Sequence, residues 1–157
     1  MKASDKLPSV TVNEKKPTDN INIADFFAPY KKAILFGVPG AFTPGCAKTH
    51  VPGYLENYDK IKAKGVEKIA VISVNDAYVM QAWRNSYNHG DKITFLADPR
   101  AEFAKAADLY FDVSDLGGIR SKRFAAILEN GVVTRIDVES DNSGLECSLA
   151  PAILRHL

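Results

Sequence analysis

The sequence predicts an α/β fold in which a central mixed sheet is flanked by helices. Three apolar runs of strand length, at residues 33–38, 69–74 and 93–97, are each followed by a stretch with helical character. Such runs, continuous at 33–38 and broken only by Ser73 and Thr94 in the other two, suit strands covered on both faces, and crossover helices between them imply parallel pairing. Late in the chain, residues 124–128 and 132–138 flank Asn130-Gly131, the strongest short hairpin signal, which adds an antiparallel edge. With 157 residues and 46% hydrophobic content the chain can bury one core, so residues 1–157 are expected to form a single domain.

The elements follow in order. Residues 1–20 are polar and carry Pro8 and Pro17, with Val10 and Val12 alternating as in a short edge strand. Ile21-Asn22-Ile23 alternates as well, and Asp25-Phe26-Phe27 reads as a helical turn ended by Pro29. After the strand at 33–38, Thr43 is the expected N-cap of a helix. Pro44 suits its first position, where an N–H would have no partner anyway. Pro52-Gly53 predicts a kink or break before the helix resumes through Leu55, Tyr58 and Ile61 to Gly65, a natural terminator. Asp76 reads as the cap of a helix carrying Val79, Met80, Trp83 and Tyr87, and Asp98-Pro99 precedes a helix over about 101–109. Residues 112–121 read as a loop bent at Gly117-Gly118, and Asp141-Asn142-Ser143-Gly144 as a turn. Ser148 is placed to cap a last helix through Leu149, Ile153 and Leu154. The order strand-helix three times, then hairpin and helix, fits a thioredoxin-like sandwich best. A flavodoxin-like sheet fits less well, because the late hairpin breaks the alternation.

Composition narrows the function. A formal net charge of +1 argues against a nucleic-acid groove or a polybasic membrane surface, and no apolar run reaches membrane-span length. Met1-Lys2-Ala3-Ser4-Asp5 lacks the apolar core of a secretory signal, which points to the cytoplasm. A product whose mitochondrial leader had been removed would look the same. The ending Arg155-His156-Leu157 is similar to the peroxisomal Ser-Lys-Leu address, apart from Arg155 in place of a small residue. Two cysteines, Cys46 and Cys147, are too few for a disulfide framework.

Chemistry concentrates at residues 38–54, where Cys46 falls near a helix start. Free backbone N–H groups and the helix dipole favour an anion there, and the thiolate is the reactive form of cysteine. An ordinary cysteine is only about 3% thiolate at neutral pH. A helix N-terminus contributes ~0.3–2 kcal/mol, so a cation from elsewhere in the chain is required as well. Thr43, three residues before Cys46, lies within reach of the sulfur in a first helical turn. Gly45 leaves room for a small substrate to approach the amides of Gly45 and Cys46. Other readings stand beside this one. A lone cysteine is often an inert buried thiol, His50 lies one turn beyond Cys46 as in a Cys-His pair, and Cys46, His50, Cys147 and His89 include zinc-ligand types.

Pro39-Gly40-Ala41-Phe42-Thr43-Pro44-Gly45-Cys46 resembles the peroxiredoxin active-site signature, Pro-x-x-x-Thr-x-x-Cys. The wider resemblance is to the type-5, atypical two-cysteine branch. It includes Lys48-Thr49-His50-Val51-Pro52-Gly53-Tyr54, Ser73-Val74-Asn75-Asp76, Leu96-Ala97-Asp98-Pro99, Lys122-Arg123-Phe124 and Gly144-Leu145-Glu146-Cys147-Ser148-Leu149-Ala150-Pro151. It implies Cys46 as peroxidatic cysteine, Thr43 and Arg123 as the residues that activate it and hold the peroxide, and Pro39 as its shield. Arg123 would be the missing cation, although the residues alone read as a solvated arginine beside Lys122. Cys147 resembles the resolving cysteine that forms an intrachain disulfide with Cys46. Where some members carry a third cysteine, this chain has Val71. The resemblance further implies thioredoxin as reductant and no metal, haem or flavin. Expected substrates are hydrogen peroxide and alkyl hydroperoxides, the latter admitted by an apolar rim of Gly40, Phe42 and Leu116, with peroxynitrite a further candidate. A homodimer is compatible with it. The alternatives are a one-cysteine peroxidase regenerated by glutathione or glutaredoxin, and a redox-sensing binding module.

Overall fold

The structure, a computed structural model, describes residues 1–141 and 144–157. Its strands, numbered along the chain, are β1 (Thr11–Asn13), β2 (Asn20–Asn22), β3 (Ala33–Gly37), β4 (Lys68–Ser73) and β5 (Thr94–Ala97), then β6 (Tyr110–Val113), β7 (Gly118–Ser121), β8 (Phe124–Glu129) and β9 (Val132–Val138). The helices are α1 (Ile23–Phe27), α2 (Val51–Glu56), α3 (Tyr58–Ala63), α4 (Ala77–Ser86), α5 (Glu102–Ala106) and α6 (Ala150–Leu154). Seven strands form one sheet in the order β2-β1-β5-β4-β3-β8-β9. Pairs β3–β4 and β4–β5 are parallel, whereas β3–β8 and β8–β9 are antiparallel. This is the thioredoxin-like α/β sandwich that the element order predicts.

Every residue of β3 is buried because the sheet is covered on both faces. Ile34 and Phe36 point into one core layer with Tyr54, Ile61, Met80, Trp83 and Ile153, while Ala33 and Leu35 point into the other with Phe27, Phe103 and Leu128. At the Asn130-Gly131 turn both residues have positive φ, 51° and 79°, the conformation that a tight two-residue hairpin requires. Asp76 caps α4 as expected, its carboxylate accepting from the Val79 N–H at 2.9 Å.

Several elements differ from the sequence expectation. Strand β1 lies inside the sheet, because β2 pairs with it and takes the edge. The stretch read as a loop at 112–121 belongs to a second, two-stranded sheet, β6 with β7, turned by Gly117 and Gly118 at φ 91° and 132°. Helix α5 ends at Ala106, soon followed by Asp108 with φ 54°. It is capped from a distance by the Asp98 carboxylate, which accepts from the amides of Phe103 and Ala104. Leu149, not Ser148, occupies the N-cap position of α6. The turn expected at 141–144 includes Asn142 and Ser143 and lies outside the described residues. Among the described residues no helix is long and apolar enough to cross a membrane.

One close approach fixes how β8 meets β3. Gly37 pairs with Phe124, and a Cβ at Gly37 would lie 2.1 Å from the Phe124 ring and 2.9 Å from Ser121 Oγ. Gly37→Ala is therefore expected to lower stability by about 1–3 kcal/mol through overpacking. Urea unfolding of the two proteins measures this, and an unchanged midpoint would show that the Phe124 ring moves aside freely.

Candidate active site

The chain leaves β3 at the carboxyl end of the parallel strands and enters a tight turn. Phe42 there has φ 64°, a strained conformation for a residue with a side chain. Asn75 holds this turn, its Oδ1 accepting from the Ala41 N–H at 3.0 Å and from Ser73 Oγ at 2.6 Å. Ser73-Val74-Asn75-Asp76 thus ties the cysteine loop to β4 with one residue and starts α4 with the next. The helix opens at Pro44, and the Thr43 carbonyl accepts its first backbone hydrogen bond, from the Ala47 N–H.

Thr43 does not cap the backbone with its side chain as expected. Its hydroxyl is spent on the Gly40 carbonyl and on Cys46 Sγ, both at 2.8 Å. A hydroxyl has one proton. With Cys46 as thiol, Thr43 donates to Gly40 and accepts the S–H; with Cys46 as thiolate, Thr43 donates to the sulfur. Cys46 is fully buried, and the turn that carries it, Cys46–His50, is π-helical, with the Val51 N–H reaching back to the Cys46 carbonyl. The interruption that Pro52 predicts therefore appears one turn earlier. A widened turn relieves the clash between the proline ring and the preceding carbonyls.

Arg123, 77 residues away in sequence, supplies the cation. It is 5% exposed, not solvated, and its Nη2 donates to Cys46 Sγ at 3.1 Å. Nη1 lies 2.9 Å from His50 Nδ1, and His50 Nε2 lies 3.0 Å from the Ser148 carbonyl. A guanidinium only donates and a carbonyl only accepts, so His50 is the neutral tautomer protonated at Nε2. Burial, followed by the neighbouring Arg123 charge, lowers the His50 pKa from the usual 6.5 to about 3. With both nitrogens engaged, His50 positions Arg123 and is not placed as a base for Cys46. Among the described residues no group of three or more His, Cys, Asp or Glu could hold a metal ion.

The remaining expected residues surround this pair. A Cβ on Gly45 would lie 3.3 Å from Arg123 Nη2 and 3.2 Å from Leu145 Cδ1, so glycine lets the guanidinium and Leu145 close over the sulfur. Pro39 is buried, and its carbonyl accepts from Arg120 Nη1 at 3.4 Å, while Arg120 Nη2 donates to the Leu116 carbonyl at 2.6 Å. Arg120 thereby gathers Gly40 and Leu116 onto one guanidinium, and Phe42 stands beside them 52% exposed. Cys147 is a free, half-buried thiol, as Cys46 is a free, buried one. Asn75, Arg120 and Glu139 had no local signal in the sequence. Only Asn75 lies within a stretch that carries the family resemblance.

A buried cysteine flanked by a hydroxyl and a guanidinium, at this end of a thioredoxin-like sheet, defines a thiol-redox protein. The Redoxin family model matches residues 2–153. Peroxisomal membrane associated protein 20 of Schizosaccharomyces pombe is 42% identical over 154 residues, 96% of either chain. Reduced Prx3 of Vibrio vulnificus, solved in complex with hydrogen peroxide, superposes with TM-score 0.93 at 43% identity, covering 100% of this chain and 99% of that one. Peroxiredoxin 5 of Alvinella pompejana gives TM-score 0.88 at 38% identity over 99% and 96% of the two chains. The chain belongs to the redoxin family and, within it, to the peroxiredoxins, the thiol peroxidases of this fold.

The His50 geometry carries a pH consequence. Between about pH 6.5 and 3 the unfolded chain binds a proton at His50 and the folded chain does not. The stability that His50 contributes is present above pH 6.5 and is lost as the pH falls toward 3. Urea unfolding across this range should show the difference between wild type and His50→Gln shrinking as the pH falls, and a pH-independent difference would contradict a neutral His50.

Proposed function

We propose that residues 1–157 act as one catalytic domain that reduces hydrogen peroxide and alkyl hydroperoxides, with peroxynitrite a further candidate. The observation that carries this reading is the contact of Arg123 Nη2 and Thr43 Oγ1 with the buried Cys46 sulfur. In the proposed cycle the Cys46 thiolate attacks the terminal peroxide oxygen. An S–O bond forms, the O–O bond breaks, and the departing oxygen takes a proton to leave as water or an alcohol, or leaves as nitrite when peroxynitrite is the substrate. Arg123, Thr43 and the Gly45 and Cys46 amides stabilise the charge that grows on the two oxygens. Among the described residues Arg123 Nε has no hydrogen-bond partner, which leaves a further donor beside the site. Pro39 and Gly45 shape the space around the sulfur, and Pro39 shields the sulfenic acid.

In the second half of the cycle the Cys46 sulfenic acid condenses with Cys147 to an intrachain disulfide, which thioredoxin reduces. A disulfide requires Cα atoms within ~7 Å, so residues 43–49 must unwind locally. The π-helical turn at Cys46–His50 supports this, since such turns are less regular than the α-helix. One observation favours the one-cysteine alternative, regenerated by glutathione or glutaredoxin. Burial and the Glu139 charge push the Cys147 thiol up to about 11, so in this conformation it is a poor nucleophile. The proposed location is the cytoplasm, with the mitochondrion and the peroxisome as alternatives, the latter supported by the name of the Schizosaccharomyces relative.

Peroxide consumption coupled to thioredoxin and thioredoxin reductase tests the cycle. Cys46→Ser should abolish consumption, and Cys147→Ser should retain one rapid turnover per chain and lose thioredoxin-linked cycling. Sustained thioredoxin-linked turnover by Cys147→Ser would establish the one-cysteine scheme instead.

A further inference from the structure

Cys147 sits in a turn whose two flanking residues are bound to one carboxylate oxygen. Glu139 Oε2 accepts from the Glu146 N–H at 2.9 Å, the Ser148 N–H at 2.8 Å and the Ser148 hydroxyl at 2.5 Å. Glu139 is 9% exposed, and Gly144 packs on its side chain so closely that a Cβ there would lie 3.1 Å from Oε1. The backbone N–H of Glu139 donates to the Arg123 carbonyl, so the carboxylate is anchored to the residue that contacts Cys46. Behind the turn, the Ser148 carbonyl accepts from Tyr54 Oη at 2.7 Å and from His50.

The charged and titratable groups facing the Cys147 thiol are Glu139 and Asp137 beside it and Tyr54 on α2, with His50 and Arg123 beyond. Burial, then the Glu139 charge and the hydrogen bond to its carboxylate, keep the thiol protonated. For Glu139 itself burial works against ionisation, and the hydrogen bonds from Ser148, Glu146 and Cys147 outweigh it and hold the carboxyl below the usual range. Among the described residues the Glu139 carboxylate accepts its hydrogen bonds from Glu146, Ser148 and Cys147, and touches neither Cys46 nor Thr43 nor the Arg123 guanidinium.

We propose that Glu139 is a positioning residue that sets the rate of the second chemical step by latching the Cys147 turn shut. The inference rests on the reading of Cys147 as the resolving cysteine. Once the latch releases, Cys147 gives its proton to solvent and its sulfur attacks the sulfur of the Cys46 sulfenic acid. The S–S bond forms, the S–O bond breaks, and the leaving hydroxide takes up a proton to become water. The Cys46 sulfur is reduced as the Cys147 sulfur is oxidised, so no further oxidant enters.

Rapid-quench mass spectrometry of the full chain after one equivalent of hydrogen peroxide separates sulfenic acid from disulfide. Glu139→Gln keeps an acceptor oxygen and removes the charge. It should oxidise Cys46 at a near wild-type rate, form the disulfide about tenfold faster, and shift the pH at half-maximal rate downward. Ser148→Ala keeps the charge and loses one hydrogen bond, so it should accelerate the step less and leave that pH unchanged. Unchanged or slower disulfide formation in Glu139→Gln overturns the latch. Should that variant fail to oxidise Cys46, Ser148→Ala decides, acceleration supporting the latch and an unchanged rate overturning it. A wild type that forms no intrachain disulfide overturns the resolving role of Cys147 together with the latch. A wild-type disulfide formed at the same rate in both variants overturns the latch alone.

Discussion

The site depends on one buried positive charge. Removing a guanidinium from water is costly unless a partner compensates it. Among the described residues Arg123 makes no ion pair with a carboxylate, and the neutral His50 offers it a lone pair without a charge. The Cys46 sulfur, 3.1 Å away, is the contact that can become anionic. In the proposed cycle this sulfur is the anion that compensates the buried arginine. The sheet register makes this geometry. Phe124 pairs with Gly37, and the residue just before it is thereby brought against the turn that follows β3.

The same guanidinium connects the two cysteines. From Cys46 the contacts run through Arg123 and His50 to the Ser148 carbonyl, and from the Ser148 amide and hydroxyl to the Glu139 carboxylate that holds the Cys147 turn. Glu139 closes the circuit through its amide on the Arg123 carbonyl. Bringing the two sulfurs together must break part of this chain of hydrogen bonds, including charge-assisted ones of the stronger kind. One set of hydrogen bonds thus holds both the Cys46 site and the Cys147 turn in place.

Features that depend on neighbouring residues are the more legible in the sequence, and those set by distant contacts the less. The buried strands, the Asn130-Gly131 turn and the Asp76 cap depend on neighbouring residues, and all three are present. Arg123 alone looked like a solvated cation, since its burial is set by strand pairing across the sheet. Ser148 carries a capping side chain, yet Glu139 claims its hydroxyl, a tertiary contact that overrides a local preference. Strands β6 and β7 are not legible in the sequence because they stand apart from the main sheet with mostly half-exposed residues and lack an apolar run. The resemblance to peroxiredoxins supplied Arg123 as a candidate; it did not show that His50 orients it.

The central claim is that the Arg123 charge makes the Cys46 sulfur reactive. Stopped-flow measurement of the second-order rate constant for Cys46 with hydrogen peroxide, in wild type and Arg123→Met, tests it most directly. The account predicts that the variant falls by at least about a hundredfold while remaining folded. Equal rate constants for the two proteins would contradict it.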